Sequence, residues 1–339
     1  MVTVTACGGD DGEPQDTDAA TSGATSAASD PDGGSSPTTS PTGATMPGVT
    51  VTDGTSADDT AGTTGEPIGE IEAMCMRWNE DRVDLSEGTW SGSVAACDPG
   101  DMSPEGRANA LRLVNLYRAL AELPQVTTDP GRDAGTQACA VMMEANGMLS
   151  HTPPMGWACW TAEGADSAGA SNISSGPAVD AVDRYMIDGG NETTLGHRRW
   201  ILNDDLGPIG IGSTDGASCM HVVGGTGELD RPWTAYPPPG PFPLEAVAPL
   251  GFGETLDQTG WSIQSDVLDL NAAQVNVTTN GEDRPVVVTP LQAGIGSDWA
   301  ISIIPQGWTA QPDTTYHVSV TGVAEVIEYD VQFVVCADF

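Results

Sequence analysis

Lysine is missing from this sequence. All eleven basic residues are arginines, set against 48 acids for a formal net charge of -37. A field of that sign repels phosphate backbones and anionic membrane faces, so nucleic acid and direct membrane-surface binding are excluded. Also missing is any apolar run of about 18 residues, which excludes a membrane-spanning helix. Aromatic residues make up only 5% of the chain. There is no Gly-x-Ser-x-Gly elbow, no His-Glu-x-x-His pair, no phosphate-cradling glycine loop and no Cys-x-x-Cys. Those absences remove the hydrolase-elbow, zincin, nucleotide-binding and zinc-finger readings.

What is present begins with Val4-Thr5-Ala6-Cys7, a small apolar run that ends in Ala before Cys. Residues 1–7 read as a truncated lipoprotein signal with its lipobox, and Cys7 as the lipid attachment point. From Gly8 to about residue 70 the chain is mostly Gly, Ser, Thr, Asp, Ala and Pro, with no helical or strand period. Such a segment buries too little apolar surface to offset its ordering entropy, so a disordered tether is expected over 8–70. The expected location is outside the cytoplasm: the cell surface or an outer membrane, alternatively the periplasm or the medium. The only expected membrane contact is the lipid.

With Cys7 assigned to lipid, Cys75, Cys97, Cys139, Cys159, Cys219 and Cys336 remain. An even count in an exported chain predicts three disulfides. Six cysteines allow fifteen pairings. Sequence proximity favours Cys75 with Cys97 and Cys139 with Cys159, which leaves Cys219 with Cys336.

The texture of the remaining chain changes near residue 230. Ser103-Pro104-Glu105 is a helix start, with a capping serine, proline at the first position and an acid in the first turn. Apolar periodicity predicts further helices over 133–148, 177–188 and 195–203. Two antiparallel strands are expected at 209–212 and 219–223, joined across Asp215-Gly216. A Pro-rich joint covers 231–250. Beyond it, strands are expected at 261–266, 274–278, 286–289, 299–304, 315–321 and 327–335. Their spacing predicts an antiparallel β-sandwich over 251–339. That sandwich segment shows no clustered acids, no aromatic row and no basic patch.

One ordered set of motifs points to a family. Ser150-His151 closes the second helix, Gly196-His197-Arg198-Arg199-Trp200-Ile201-Leu202-Asn203 follows, and then Ile209-Gly210-Ile211-Gly212. Together they resemble the bacterial branch of the CAP superfamily, which holds the cysteine-rich secretory proteins, antigen 5 and the pathogenesis-related 1 proteins. The resemblance implies an α+β fold: a CAP-like α-β-α sandwich over 71–230, ahead of the β-sandwich.

It also implies a surface cleft in which two histidines and two acids converge on a divalent metal such as zinc. The histidines would be His151 and His197. One family acid lies in a Gly-Glu-Asn-Ile motif, and here Ser171-Asn172-Ile173 puts serine in its place. The other, counted from Tyr185, is Asp188. A metal set of His151, His197 and Asp188 would match the three protein ligands of an open zinc site. Serine at 171 removes the obvious general base. Arg198 and Arg199 are expected as structural salt-bridge partners, and Trp200 as core.

Three readings of function follow. One is a non-enzymatic binding module for a small lipid, a peptide, a cell-wall component or another protein. The alternative is a metal-assisted hydrolase acting on peptides or envelope polymers. A third places adhesion in the β-sandwich, with the first domain folding without it. In each, the partner is an extracellular ligand or envelope component.

Overall fold

The computed structural model describes residues 69–225, 227, 231–251 and 253–339. Cys7 and all but the last two residues of the expected tether lie outside them.

Helix α1 (Glu70–Asp81) buries Cys75 and Trp78. α2 (Pro104–Leu120) starts as expected, with Ser103 Oγ accepting from Gly106 N at 3.1 Å. α3 (Pro130–Asn146) starts three residues ahead of the expected 133, because the Asp129 side chain caps it by accepting from Arg132 N at 2.9 Å. Such a cap contributes about 1 kcal/mol. α4 (Ala162–Gly169) is capped by Thr161 and leads into β1 (Ser171–Ser174). α5 (Ala178–Ile187) has no cap of its own. Its first amides donate instead to Glu87, from Val179 N at 2.9 Å and Asp180 N at 2.7 Å. α6 (Gly196–Ile201), β2 (Gly210–Ser213) and β3 (Ser218–His221) complete the first half.

β1, β3 and β2 form an antiparallel sheet in that order, with Ser171 and Gly210 both opposite His221. The period of two explains the Ile-Gly-Ile-Gly motif. Ile209 and Ile211 are fully buried in the large core with α2 and α5. Gly210 and Gly212 lie under α3, where a Cβ would collide with the Arg132 and Thr136–Gln137 backbone. Opposite faces of the sheet thus carry separate cores, the smaller one built on Met142, Met143, Ile173 and Cys219. This is the α-β-α arrangement.

The second half supplies β4 (Thr234–Tyr236), β5 (Gly240–Pro243), α7 (Leu256–Thr259), β6 (Trp261–Ser265) and β7 (Gln274–Thr279). It continues with β8 (Glu282–Arg284), β9 (Val286–Pro290), β10 (Trp299–Pro305), β11 (Thr314–Thr321) and β12 (Ile327–Val334). One sheet runs β4-β6-β10-β9 and the other β5-β12-β11-β7-β8. Trp261 of the first meets Tyr316 and Phe333 of the second at 5.8 and 5.5 Å between ring centroids. All pairings are antiparallel except β5 with β12. The Pro-rich segment is therefore built into both sheets, β4 in one and β5 in the other.

One apolar cluster runs from Leu113 and Tyr117 through Tyr236 and Phe242 to Trp261, Val318 and Phe333. The residues after Glu66 belong to one compact unit.

All six expected cysteines are paired, but not by sequence proximity. The bonds are Cys75–Cys336, Cys97–Cys159 and Cys139–Cys219. The proximity rule fails because folding, not chain distance, sets the neighbours. α3 lies across β3, which brings Cys139 to Cys219, and α1 lies beside the C-terminal segment, which brings Cys75 to Cys336.

Candidate functional site

A cleft of about 330 Å³ opens over α6 and the end of β1. His151, Ser171, Asn172 and His197 all line it. Asp188 does not. It lies beneath, with a side chain that is 0% exposed.

α5 ends at Ile187 and Asp188 turns left-handed at φ 59°. That turn directs its carboxylate at the start of α6. Oδ1 accepts from His197 Nδ1 at 2.8 Å and from Asn191 Nδ2 at 2.9 Å; Oδ2 accepts from Arg198 N at 3.2 Å. Asn191 Nδ2 also lies 3.1 Å from His197 Nδ1. A carboxylate only accepts, so the ring proton sits on Nδ1 and the amide proton goes to the same oxygen. The ring is further fixed by Tyr185, 4.9 Å away between centroids.

His151 is fixed in the same sense. Its Nδ1 donates to Ala168 O at 3.0 Å. With both Nδ1 atoms engaged, Nε2 is the ring nitrogen that each histidine has left for a ligand. Ser171 Oγ donates to Ser167 O at 2.7 Å, and Asn172 Nδ2 donates to His197 O at 3.0 Å. Asn172 thereby pins the backbone that carries His197.

The proposed zinc set does not fit this geometry as a three-ligand site. Both Asp188 oxygens are spent on protein donors, and the side chain is closed off from the cleft. Among the described residues, no group of three or more His, Cys, Asp or Glu is arranged to hold a metal ion.

Arg198 and Arg199 correct the expectation of salt bridges. Both are fully buried, and their guanidinium groups donate to carbonyls and hydroxyls rather than to carboxylates, with Arg199 Nε left unpaired among the described residues. Arg198 donates to Met186 O, Ile187 O, Gly260 O and Thr259 Oγ1 at 2.6 to 3.1 Å. Arg199 donates to Thr194 O, Gln292 O and Ser297 O at 2.7 to 3.1 Å. Burial pushes both down to about 10. A planar fork with five donors suits a cage of carbonyls beneath the surface.

Several cleft residues were not singled out by sequence. Trp200, expected as core, is half-buried: it packs against the large core and also lines the cleft. Asn191 and Thr194 belong to the turn before α6. Ile295 comes from the β-sandwich, on the loop between β9 and β10. That loop is fastened to α6 by Arg199 and by Asn203, whose Nδ2 donates to Gly296 O at 2.8 Å. Gln292 N donates to Thr193 O at 3.2 Å. Only proximity in space reveals Ile295. The Gly-His-Arg-Arg-Trp run was the available signal for Trp200.

The remaining histidines are structural. His221 Nε2 donates to Val223 O at 2.9 Å, and burial followed by the Arg132 charge lowers its pKa. His317 pairs with Asp330 across β11 and β12 on the exposed face.

Residues 111–224 match the family model of the cysteine-rich secretory protein family, CAP. The chain carries a CAP domain. The matched segment runs from within α2 past β3 and contains every cleft-lining residue except Ile295. No curated protein and no solved structure matches the chain. The CAP domain and three disulfides fit an extracellular protein, and no helix among the described residues is long and apolar enough to cross a membrane.

Proposed function

We propose that this is an exported, lipid-anchored surface protein whose CAP cleft is a non-enzymatic binding module for a small lipid, a peptide, a cell-wall component or a protein. The observation that carries this is the make-up of the cleft walls. They hold two imidazoles, hydroxyl and amide groups and the apolar surfaces of Trp200, Val223 and Ile295, and no carboxylate. A small number of fixed polar groups against apolar walls suits recognition. Without a carboxylate in reach, hydrolysis lacks the acid that family members place at position 171.

Native mass spectrometry tests the reading. The protein is incubated with an envelope lipid extract, peptidoglycan fragments and a peptide library. A species retained by the wild type and lost in His151→Ala and His197→Ala, with no product formed, is the expected result. Steady turnover of any of these substrates, abolished in the same variants, overturns it.

The metal-assisted hydrolase is the second reading. It draws on the two imidazoles held through Nδ1, an orientation that second-shell partners give to metal ligands. It requires a third ligand from outside the cleft walls. One zinc per chain retained through dialysis at neutral pH favours it, and none retained removes it.

A further inference from the structure

The β-sandwich carries a second groove, of about 390 Å³, at the end where the β7–β8 hairpin meets the segment joining β10 to β11. We infer that this groove is a binding site for a neutral pyranose sugar. It is independent of the CAP cleft.

The platform is Trp308. Its ring stacks on Tyr316 at 5.1 Å and 19°, and Trp261 braces it edge-on at 5.7 Å and 89°. Its Nε1 donates to Pro285 O at 2.7 Å. Three contacts fix the indole, yet it stays only half-buried and lines the groove. A pyranose has a face of C–H bonds that lies flat on such a ring, and a rim of equatorial hydroxyls that reaches sideways. A rigid aromatic platform loses little entropy on binding.

The rim of the groove supplies what those hydroxyls need. Asn280, left-handed at φ 52° in the β7–β8 turn, has no hydrogen-bond partner for its amide among the described residues. Gln311 donates through Nε2 to Thr309 O at 3.1 Å and leaves Oε1 unpaired among the described residues. Arg284 has one ionic partner, Glu282, at the long distance of 3.5 Å. These unspent donors and acceptors surround the ring.

The walls contain no carboxylate and no aliphatic side chain, in a chain with 48 acids. The lack of aliphatic surface disfavours a lipid or an apolar peptide. The lack of a carboxylate pair leaves no acid and base for glycoside cleavage, so the site holds a sugar and does not cut it. A single guanidinium in a chain of charge -37 gives a polyanion too little to overcome the surrounding field.

The full-length protein is titrated with four neutral trisaccharides: N-acetylchitotriose, cellotriose, maltotriose and mannotriose. The readouts are saturation-transfer NMR and the Trp308 Nε1–H resonance. The expected result is saturable binding of at least one of them, with that resonance shifted. Trp308→Ala should abolish it, but Trp308 braces Trp261 and its loss puts the fold at risk. The exposed pair Asn280→Ala with Gln311→Ala spares the core and should weaken binding by roughly 10-fold or more, two lost hydrogen bonds' worth. Absence of saturation below about 10 mM for all four sugars overturns the assignment. Undiminished binding in the Asn280/Gln311 variant, or binding of a sulfated disaccharide alone, overturns it as well.

Discussion

Asp188 Oδ1 accepts the Nδ1 proton of His197 at 2.8 Å from a position closed to solvent. That bond decides which ring nitrogen faces the cleft. The same carboxylate also ties down Asn191 and the first turn of α6, so one side chain sets both the tautomer and the backbone beneath it.

Asp188→Asn keeps the shape and tolerates the left-handed backbone, but replaces a charged acceptor with a neutral amide. Stability should fall by about 1–3 kcal/mol. In ¹H–¹⁵N correlation spectra, His197 should show protonated Nδ1 and bare Nε2 in the wild type and lose that preference in the variant. An unchanged pattern would mean that Asp188 does not set the tautomer.

Gly296 adopts φ +67°, and a Cβ there would lie 2.5 Å from Arg199 C. Gly296→Ala should cost more than about 1 kcal/mol. Thermal melts will report the loss, and hydrogen exchange should rise in 291–298 and in α6 together, because the loop and helix share the Arg199 cage.

Removal of residues 251–339 takes Gly260 O, Thr259 Oγ1 and Ser262 Oγ away from Arg198 and uncovers the shared apolar cluster. A buried guanidinium stripped of acceptors is costly. The fragment 69–250 is expected to melt without a cooperative transition by calorimetry. A sharp transition would show that the CAP half stands alone, as the adhesive reading requires.

Cys75–Cys336 closes a loop of 261 residues' separation. The double variant Cys75→Ser, Cys336→Ser should lose about 3–5 kcal/mol. Denaturant midpoints measure this, and peptide mapping without reductant checks the three pairings.

Burial raises the carboxyl pKa values of Glu87, Asp133, Asp204, Asp257 and Asp266. In each case the folded state binds the proton more tightly than the unfolded chain. Stability therefore rises as pH falls from neutral through the folded values, and the gain is complete below the unfolded values near 4. The melting temperature should be higher at about pH 5.5 than at about pH 7.5. In about 1 M salt, which screens surface repulsion, the slope should shrink but persist.

Local chemistry was legible in the sequence. The Ser103-Pro104 cap, the Asp215-Gly216 turn and all six strands expected after residue 260 are in place to within one or two residues, because alternation and capping act between near neighbours. α1 went unread although Ile71, Met74, Cys75 and Trp78 recur at i, i+3, i+4 and i+7 and all pack on the core; the run adjoins the Gly/Ser/Thr-rich segment and has no capping side chain to mark its start. Long-range relations were also silent. Nothing in the order of residues brings Cys75 to Cys336, Ile295 to His197 or Trp308 onto Tyr316. Of the cleft, the histidines and Asn172 were readable from motifs, whereas Asp188 sits below the wall it was expected to form.

The Cys75–Cys336 bond has a mechanical meaning. Tension arriving along the backbone at Gly69 meets a covalent fork six residues later. Part of the load continues into α1, and part crosses the sulfurs to the strand that ends at Val334. Helix α1 cannot be peeled away from the body by pulling on it, because its partner Cys336 follows two residues after β12, which is paired on both sides by β5 and β11. With that bond closed, α1 and the C-terminal segment cannot be drawn apart by extending the chain.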